Sequence, residues 1–400
     1  MTQLLPFFII LLTGLFFSEI FKRLHLPLVA ALIIAGLTIG PSGLDWIKPN
    51  DALELIGNIG LIFLMFMAGL EIKLSGLGKL KSKIAKLSLI NSLIPFLVGS
   101  GIGLVFGYGL LEAVLIGIIF MSSSVAVIVP VLESTGLMTS KIGQSIVGSA
   151  IIQDIVSLLF FSLILQLIRP ETGIPLPLFY LIILSGLIIT RQSIPYLRKF
   201  LASIRSAVRS DKNLFQEELR LIFTILIGVV VLFELIGLHD IIAGFFTGLI
   251  LADSITSDIL KEKIKSVGYS FFIPVFLVMV GIKTDLSILT TAKGAWLLIL
   301  VIIIGSIGSK FISGYLAGSL VGFNKKENLL IGTSTIVQLF TTLAVIFAGR
   351  ELGMIDEILT AALVLLSTVT TLVGPIIVFY LAQRVNLTQS DPHFKPVDKI

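Results

Sequence analysis

Two ionisable side chains stand in the middle of long apolar stretches: Asp154, preceded by Gln153, in SIVGSAIIQDIVSLLFF, and Lys310 in LVIIIGSIGSKFISGYLAG. Holding a charge at the centre of a bilayer costs at least about 2.5–3.5 kcal/mol, so such residues face a cavity, pair with one another, or carry a proton or an ion. Burial disfavours the ionised form of a carboxylate, whereas a bound cation favours it. A proton and a cation must therefore compete for Asp154. That competition is the minimal coupling device for exchange: the site crosses either protonated or with a monovalent cation bound, and the empty charged site crosses poorly. One carboxylate implies one proton for one cation, hence electroneutral exchange. Lys310 is expected to compensate charge near it; the plainer alternative is an Asp154 to Lys310 salt bridge with no transport role.

Two polar interruptions fall in other apolar runs. The first is Met-Ser-Ser-Ser, giving Ser122, Ser123 and Ser124, with Pro130 below it; the second is Gly-Thr-Ser-Thr, giving Thr333, Ser334 and Thr335, followed by Gln338. Proline removes an amide donor and hydroxyls can satisfy freed carbonyls, so both segments read as broken helices whose unwound backbone offers oxygen ligands and half-helix ends to a charged solute. Such ligands suit hard ions such as Na⁺ or K⁺. Close packing through small polar residues is the competing explanation of each triplet. The remaining acids, Glu71, Glu133, Asp240 and Asp253, together with Arg350, lie near the ends of apolar runs and are expected to be structural or interfacial. Glu234 is the least determined of these.

The elements that must position these groups are membrane helices. The apolar fraction is 56% and the charged fraction 13% over 400 residues, against about a quarter charged in a soluble domain. Apolar runs recur along the whole chain, near 4–21, 26–45, 53–71, 86–108, 111–134, 143–168, 176–190, 219–237, 238–253, 267–283, 294–321, 328–348 and 357–383, and most approach the length a helix needs to cross the hydrocarbon core. The fold class is thus an all-α polytopic membrane protein of about thirteen transmembrane helices. Connections after odd-numbered spans hold about 23 Lys and Arg, and the opposite connections five. That asymmetry predicts an extracellular N-terminus and a cytoplasmic C-terminus in the cell membrane. The basic residues sit in short loops rather than on one face, so nucleic acid is not expected as a partner. With no cysteine, and His25, His239 and His393 at span ends or in the tail, neither a disulfide, a metal centre nor a cofactor is expected.

Sliding the chain against itself gives an offset of 212 that persists. It lays Gly36 on Gly248, Gly69 on Gly281, and Ser122-Ser123 on Ser334-Thr335. Seven spans separate each pair, and because seven is odd the partners cross in opposite directions: an inverted repeat, the architecture that places substrate near the midplane. The expected division is residues 1–190 as the first half, 191–218 as a basic cytoplasmic linker, 219–383 as the second half and 384–400 as a tail. Under the repeat Asp154 faces Leu366 and Lys310 faces Val98, so symmetry demanded neither charge.

LPLVAALIIAGLTIGP, SSSVAVIVPVLESTGL, the Gln153-Asp154 segment and Lys310 together resemble the monovalent cation:proton antiporter-2 family, which includes Kef-type potassium efflux systems and NapA-type sodium/proton antiporters. The resemblance implies thirteen helices, a homodimer, two crossed broken helices, and elevator-type movement of a core domain against a dimerisation domain. Electrogenic sodium members carry two adjacent acids, whereas Gln153-Asp154 is similar to the Kef-type pair, which implies K⁺ or mixed K⁺/Na⁺ exchange. Gln338 departs from the Glu of many members, and no GxGxxG follows a strand as in the nucleotide-binding domain of Kef channels. Rival readings are a coupled transporter of a small organic solute, which needs no Asp154 with Lys310, and a Kef-like gated cation channel, which lacks an evident filter. An enzyme would need paired membrane acids, an HExxH pair or a nucleophile with a nearby histidine, and the sequence offers none of these.

Overall fold

A computed structural model describes residues 4–23, 28–70, 81–168, 214–235, 240–252, 257–284 and 294–386, with a few single positions between them. Among these residues the regular structure is helical: α1 Leu4–Arg23, α2 Leu28–Ile39, α3 Asp51–Leu70, α4 Lys81–Val105, α5 Leu110–Met121, α6 Val125–Ser134, α7 Lys141–Ile168, α8 Leu214–Leu235, α9 Asp240–Ala252, α10 Asp258–Val267, α11 Ile273–Lys283, α12 Ala295–Val321, α13 Lys325–Thr335, α14 Phe340–Glu351 and α15 Glu357–Asn386. A π-helical turn, Gly268–Phe272, joins α10 to α11 into one span. Every expected span is present except the seventh, near 176–190, which with the basic linker, the three histidines, Glu71, Asp253 and the tail lies outside the described residues. Among the described residues, eight spans are long and apolar enough to cross a membrane outright, while α2, α5 and α9 are shorter apolar helices. The second span, expected at 26–45, stops at Ile39 because Gly40 and Pro41 end it and the chain folds back, with the Leu44 amide donating to the Thr38 carbonyl.

The chain falls into two compact units, residues 1–15, 48–75 and 162–279, and residues 16–47, 76–161 and 280–400. Each unit draws on both halves of the sequence. In the first, α3 packs along α9 and against the π turn. Its centre is aromatic: Phe63 stacks on Phe272 with ring centroids 4.7 Å apart and meets the edge of Phe223 at 5.1 Å. In the second, α4 packs on α5 and α12, while α12, α13 and α15 share a further layer. Here the interior is crowded with buried Ser, Thr, Asn and Gln.

The repeat is realised as one matching contact in each unit. In the first unit, a Cβ on Gly69 of α3 would strike the Phe245 carbonyl and the Leu249 amide of α9. In the second, a Cβ on Gly281 of α11 would strike the Ile33 carbonyl and the Leu37 amide of α2. Adding 212 to 33, 37 and 69 gives 245, 249 and 281, so the two crossings are images of one another. Only glycine lets backbones approach this closely. Contacts within the second unit also sort the connections by end. Ser42 donates to the Thr284 carbonyl at 2.9 Å, Arg350 to the Lys283 carbonyl at 2.6 Å, and Tyr108 to Asp356 at 3.2 Å, all joining connections that follow even-numbered spans. At the Tyr108 pair, burial and then the Asp356 carboxylate hold the phenol above its ordinary pKa. Lys83 lies over the Phe323 ring, joining two that follow odd-numbered spans.

Candidate ion site at the crossing of two broken helices

Both expected interruptions are breaks in the helix. The fifth span unwinds between Met121 and Val125, with Ser122 and Ser124 extended. The twelfth unwinds between Thr335 and Phe340, a little later than the Gly-Thr-Ser-Thr run suggests. Thr335 explains the delay: its hydroxyl donates to the Gly332 carbonyl at 2.9 Å and the Ile336 amide to the Thr333 carbonyl, which holds the last turn together. Pro130 lies within α6 rather than at the break. The breaks touch. Ser123 donates to the Thr335 carbonyl at 3.0 Å, the Ser124 amide to the Val337 carbonyl at 2.7 Å, and the hydroxyls of Ser122 and Thr342 pair at 2.7 Å.

A helix that stops inside a membrane leaves its last four carbonyls without intrahelical donors, and no water is at hand to satisfy them. At the end of α5 each has a side-chain donor. Ser157 serves Ile118 at 3.1 Å, Ser122 serves Ile119 at 3.4 Å, Gln338 serves Phe120 at 3.0 Å, and the Lys310 ammonium serves Met121. A cation at this place also meets the negative end of the half-helix dipole. Lys310 is fully buried and donates further to Ser123 and to Gln153 Oε1, both at 2.9 Å, with the Asn91 carbonyl at 3.5 Å. Because the Lys310 ammonium can only donate, the end of the Gln153 amide that it meets must be the oxygen.

Asp154 is on the same stretch of α7 but in different company. It lies within electrostatic reach of Lys310, yet the two form no ion pair among the described residues. The carboxylate instead sits by the backbone of Ser123, which leads into the N-terminus of α6, and by the hydroxyl of Thr341, in the first turn of α14. Both half-helices present their positive ends there. Asp154 Oδ1 has no hydrogen-bond partner, and neither do the buried hydroxyls of Ser124, Ser334 and Thr341 or Gln153 Nε2. Unpartnered buried polar atoms cost about 1–3 kcal/mol each. A carboxylate oxygen in this state, with the Thr341 hydroxyl by the same carboxylate, can be satisfied by a cation or a proton.

The structure therefore brings Asp154, Gln153, Ser122, Ser123, Ser124, Thr335 and Lys310 to one crossing. Thr333 is different: its hydroxyl donates back to the Leu329 carbonyl at 2.9 Å. Ser334 is buried and unpartnered on the same half-helix. Sequence reasoning did not single out Thr341, Asn91 or Ser157, and it flagged Gln338 without a partner. Glu133 and Glu234 are exposed, and the Arg350 head reaches Glu357 at 3.7 Å, as end positions should.

Comparison with known proteins agrees with this architecture. A family model described as the transmembrane sodium/hydrogen exchanger matches residues 7–384. A probable Na(+)/H(+) antiporter 3 of Methanocaldococcus jannaschii is 30% identical over 93% of this chain and 95% of its own. The Na(+)/H(+)-K(+) antiporter GerN of Bacillus cereus is 24% identical over 92% and 93%. Among solved structures, the sodium proton antiporter MjNhaP1 from Methanocaldococcus jannaschii superposes with a TM-score of 0.72 at 21% identity, covering 94% of this chain and 96% of that one.

Proposed function

This chain belongs to the sodium/hydrogen exchanger family, and on that premise we propose that it is a cation/proton antiporter working one for one at Asp154. A transporter of this family is not an enzyme, and nothing at the crossing asks for a cofactor. Na⁺ and H⁺ are the ions named for its relatives; K⁺ enters the proposal through the Gln153-Asp154 pair and the Bacillus cereus relative.

The observation that carries the reading is that Asp154 forms no ion pair among the described residues and its Oδ1 has no partner, with the Thr341 hydroxyl by it, while Lys310 is taken up by helix carbonyls and Gln153. A salt bridge kept only for structure would pair the two charges. In the proposed cycle Asp154 holds a proton or one monovalent cation, and Ser122, Ser123, Ser124, Thr333, Ser334, Thr335 and Gln153 shape its surroundings. Lys310 keeps its charge on the end of α5. A neutral Gln153 beside the acid limits the site to one exchangeable charge, so each exchange moves no net charge. Alternating access by elevator movement, a homodimer, and a cytoplasmic C-terminus complete the proposal and rest on the resemblance and on the charge asymmetry of the connections.

Everted vesicles with an internal pH probe test it. Addition of Na⁺ or K⁺, but not choline, should move protons. Asp154→Asn should abolish that movement while the protein stays folded; unchanged exchange in this variant would remove the proposal. Strong acceleration or braking by an imposed membrane potential would refute the one-for-one stoichiometry alone.

A further inference from the structure

The hydroxyl of Thr341 is out of keeping with the other buried threonines. A threonine inside a helix ordinarily satisfies itself by donating to the carbonyl four residues back. Thr38, Thr247, Thr284, Thr333 and Thr368 all do so, at 2.7–2.9 Å. For Thr341 that carbonyl belongs to Val337, and it is taken by the amide of Ser124 from the other repeat at 2.7 Å. The backbone between them is unwound, with Leu339 at φ −147° and ψ −84°, so the residues preceding Thr341 do not continue the helix. Its neighbour Thr342 is engaged by Ser122. Thr341 Oγ1 is left 97% buried as a residue, with no backbone carbonyl to donate to and with the Asp154 carboxylate as its polar neighbour, the Oδ1 of which has no partner. The break itself makes the vacancy: Thr341 is the second residue of α14, and the unwound chain before it offers no preceding turn for the hydroxyl to donate to.

We propose that Thr341 is a direct ligand of the transported monovalent cation, donating a neutral oxygen from the second repeat to an ion held by Asp154 of the first. The assignment rests on Asp154 being the exchange site and adds the group that closes the shell around it. A hydroxyl lone pair is a hard donor suited to alkali cations. Being neutral, it leaves the charge count at one. In the protonated state of Asp154 the same hydroxyl accepts the carboxylic proton, and with a cation bound it turns a lone pair to the ion.

The test is cation-dependent proton movement in everted vesicles, titrated separately with NaCl, KCl and LiCl, for wild type, Thr341→Val, Thr341→Ser and Asp154→Asn. Thr341→Val keeps the shape and removes the oxygen. It should raise the half-saturating concentration of the transported cation about tenfold, the equivalent of one lost ligand contact, a larger change than in the rate at saturation. Thr341→Ser should restore the affinity. Thr341→Ala checks the same loss should the valine variant accumulate poorly. Half-saturation within twofold of wild type in Thr341→Val overturns the assignment and leaves the Asp154 reading standing. Equal impairment of the serine variant also overturns it, because the methyl group and not the oxygen would be at work. Normal exchange by Asp154→Asn overturns the reading beneath it and this assignment together.

Discussion

The two breaks are copies of one repeat element solved in different ways. At the first, the four freed carbonyls of α5 are met by Ser157, Ser122, Gln338 and the Lys310 ammonium. At the second, every donor found is neutral: Ser123 serves the Thr335 carbonyl, the Ser124 amide serves Val337, and Thr370 and Thr371 reach Gln338 at 3.4 and 3.5 Å. Symmetry accounts for the crossing and not for the charge. The positive charge caps one half-helix C-terminus, and the acid sits by the two N-termini of the same crossing. Placed in this way they need not neutralise each other, which leaves Asp154 free to titrate or bind.

Replacing the charged cap should have the largest effect. Lys310→Met fills a similar volume but leaves the Met121 carbonyl unserved and takes a charged donor away from Ser123 Oγ and Gln153 Oε1. At about 1.5–3 kcal/mol per hydrogen bond to a charged group, the loss exceeds about 3 kcal/mol, so exchange should fall by two orders of magnitude or more and the melting temperature in detergent should drop. A Lys310→Met protein with wild-type melting and exchange would show that the two breaks are equivalent after all. Thr370→Val, made at the other break, serves as its control.

Most of this contrast could be read in the amino-acid order, and the part that could not is instructive. Asp154 and Lys310 announce themselves because a charge in an apolar run has few explanations. The breaks were legible because Ser and Thr cluster where hydrocarbon should be, and the repeat because Gly36, Gly69, Gly248 and Gly281 keep one offset. What each side chain bonds to was not legible. Gln338 and Phe120 are 218 residues apart, and nothing local in GTSTIVQLFTTL tells Thr341 from Thr342. Their difference arises only when the first break arrives from the other half, where Ser122 engages Thr342 and Asp154 comes to lie by Thr341. The second break was placed early for a related reason. Composition marks where a helix can break, while the backbone bonds of Thr335 and Ile336 decide where it does.

Gln338 sharpens the comparison through pH. Its amide donates to the Phe120 carbonyl at 3.0 Å and accepts from Ser306 at 3.3 Å. A carboxyl at this position can donate to that carbonyl only while protonated. Gln338→Glu should therefore retain exchange at acid pH and lose it toward alkaline pH, where the wild type still works, because ionisation removes the donor and sets a negative charge against a helix C-terminus. Gln338→Met, which has no donor at any pH, should be depressed across the whole range with an unshifted profile. Identical profiles for the glutamate variant and wild type would mean that the cap on Phe120 is dispensable.

The smallest effect is expected at the second break. Thr370 both accepts from the Gln338 amide and donates to the Gln338 carbonyl, each at 3.4 Å, and Thr371 offers the same carbonyl a second donor. These contacts are long and partly redundant. Interhelical hydrogen bonds in membranes average about 0.6 kcal/mol, so Thr370→Val should lower stability by about that much and leave the half-saturating cation concentration unchanged. The double variant Thr370→Val with Thr371→Val removes both donors to the carbonyl and should lose more than the sum of the single changes, since each covers for the other. Strict additivity would show that the redundancy is only apparent. A loss as large as that of Lys310→Met would mean that the neutral break leans on its caps as heavily as the charged one does.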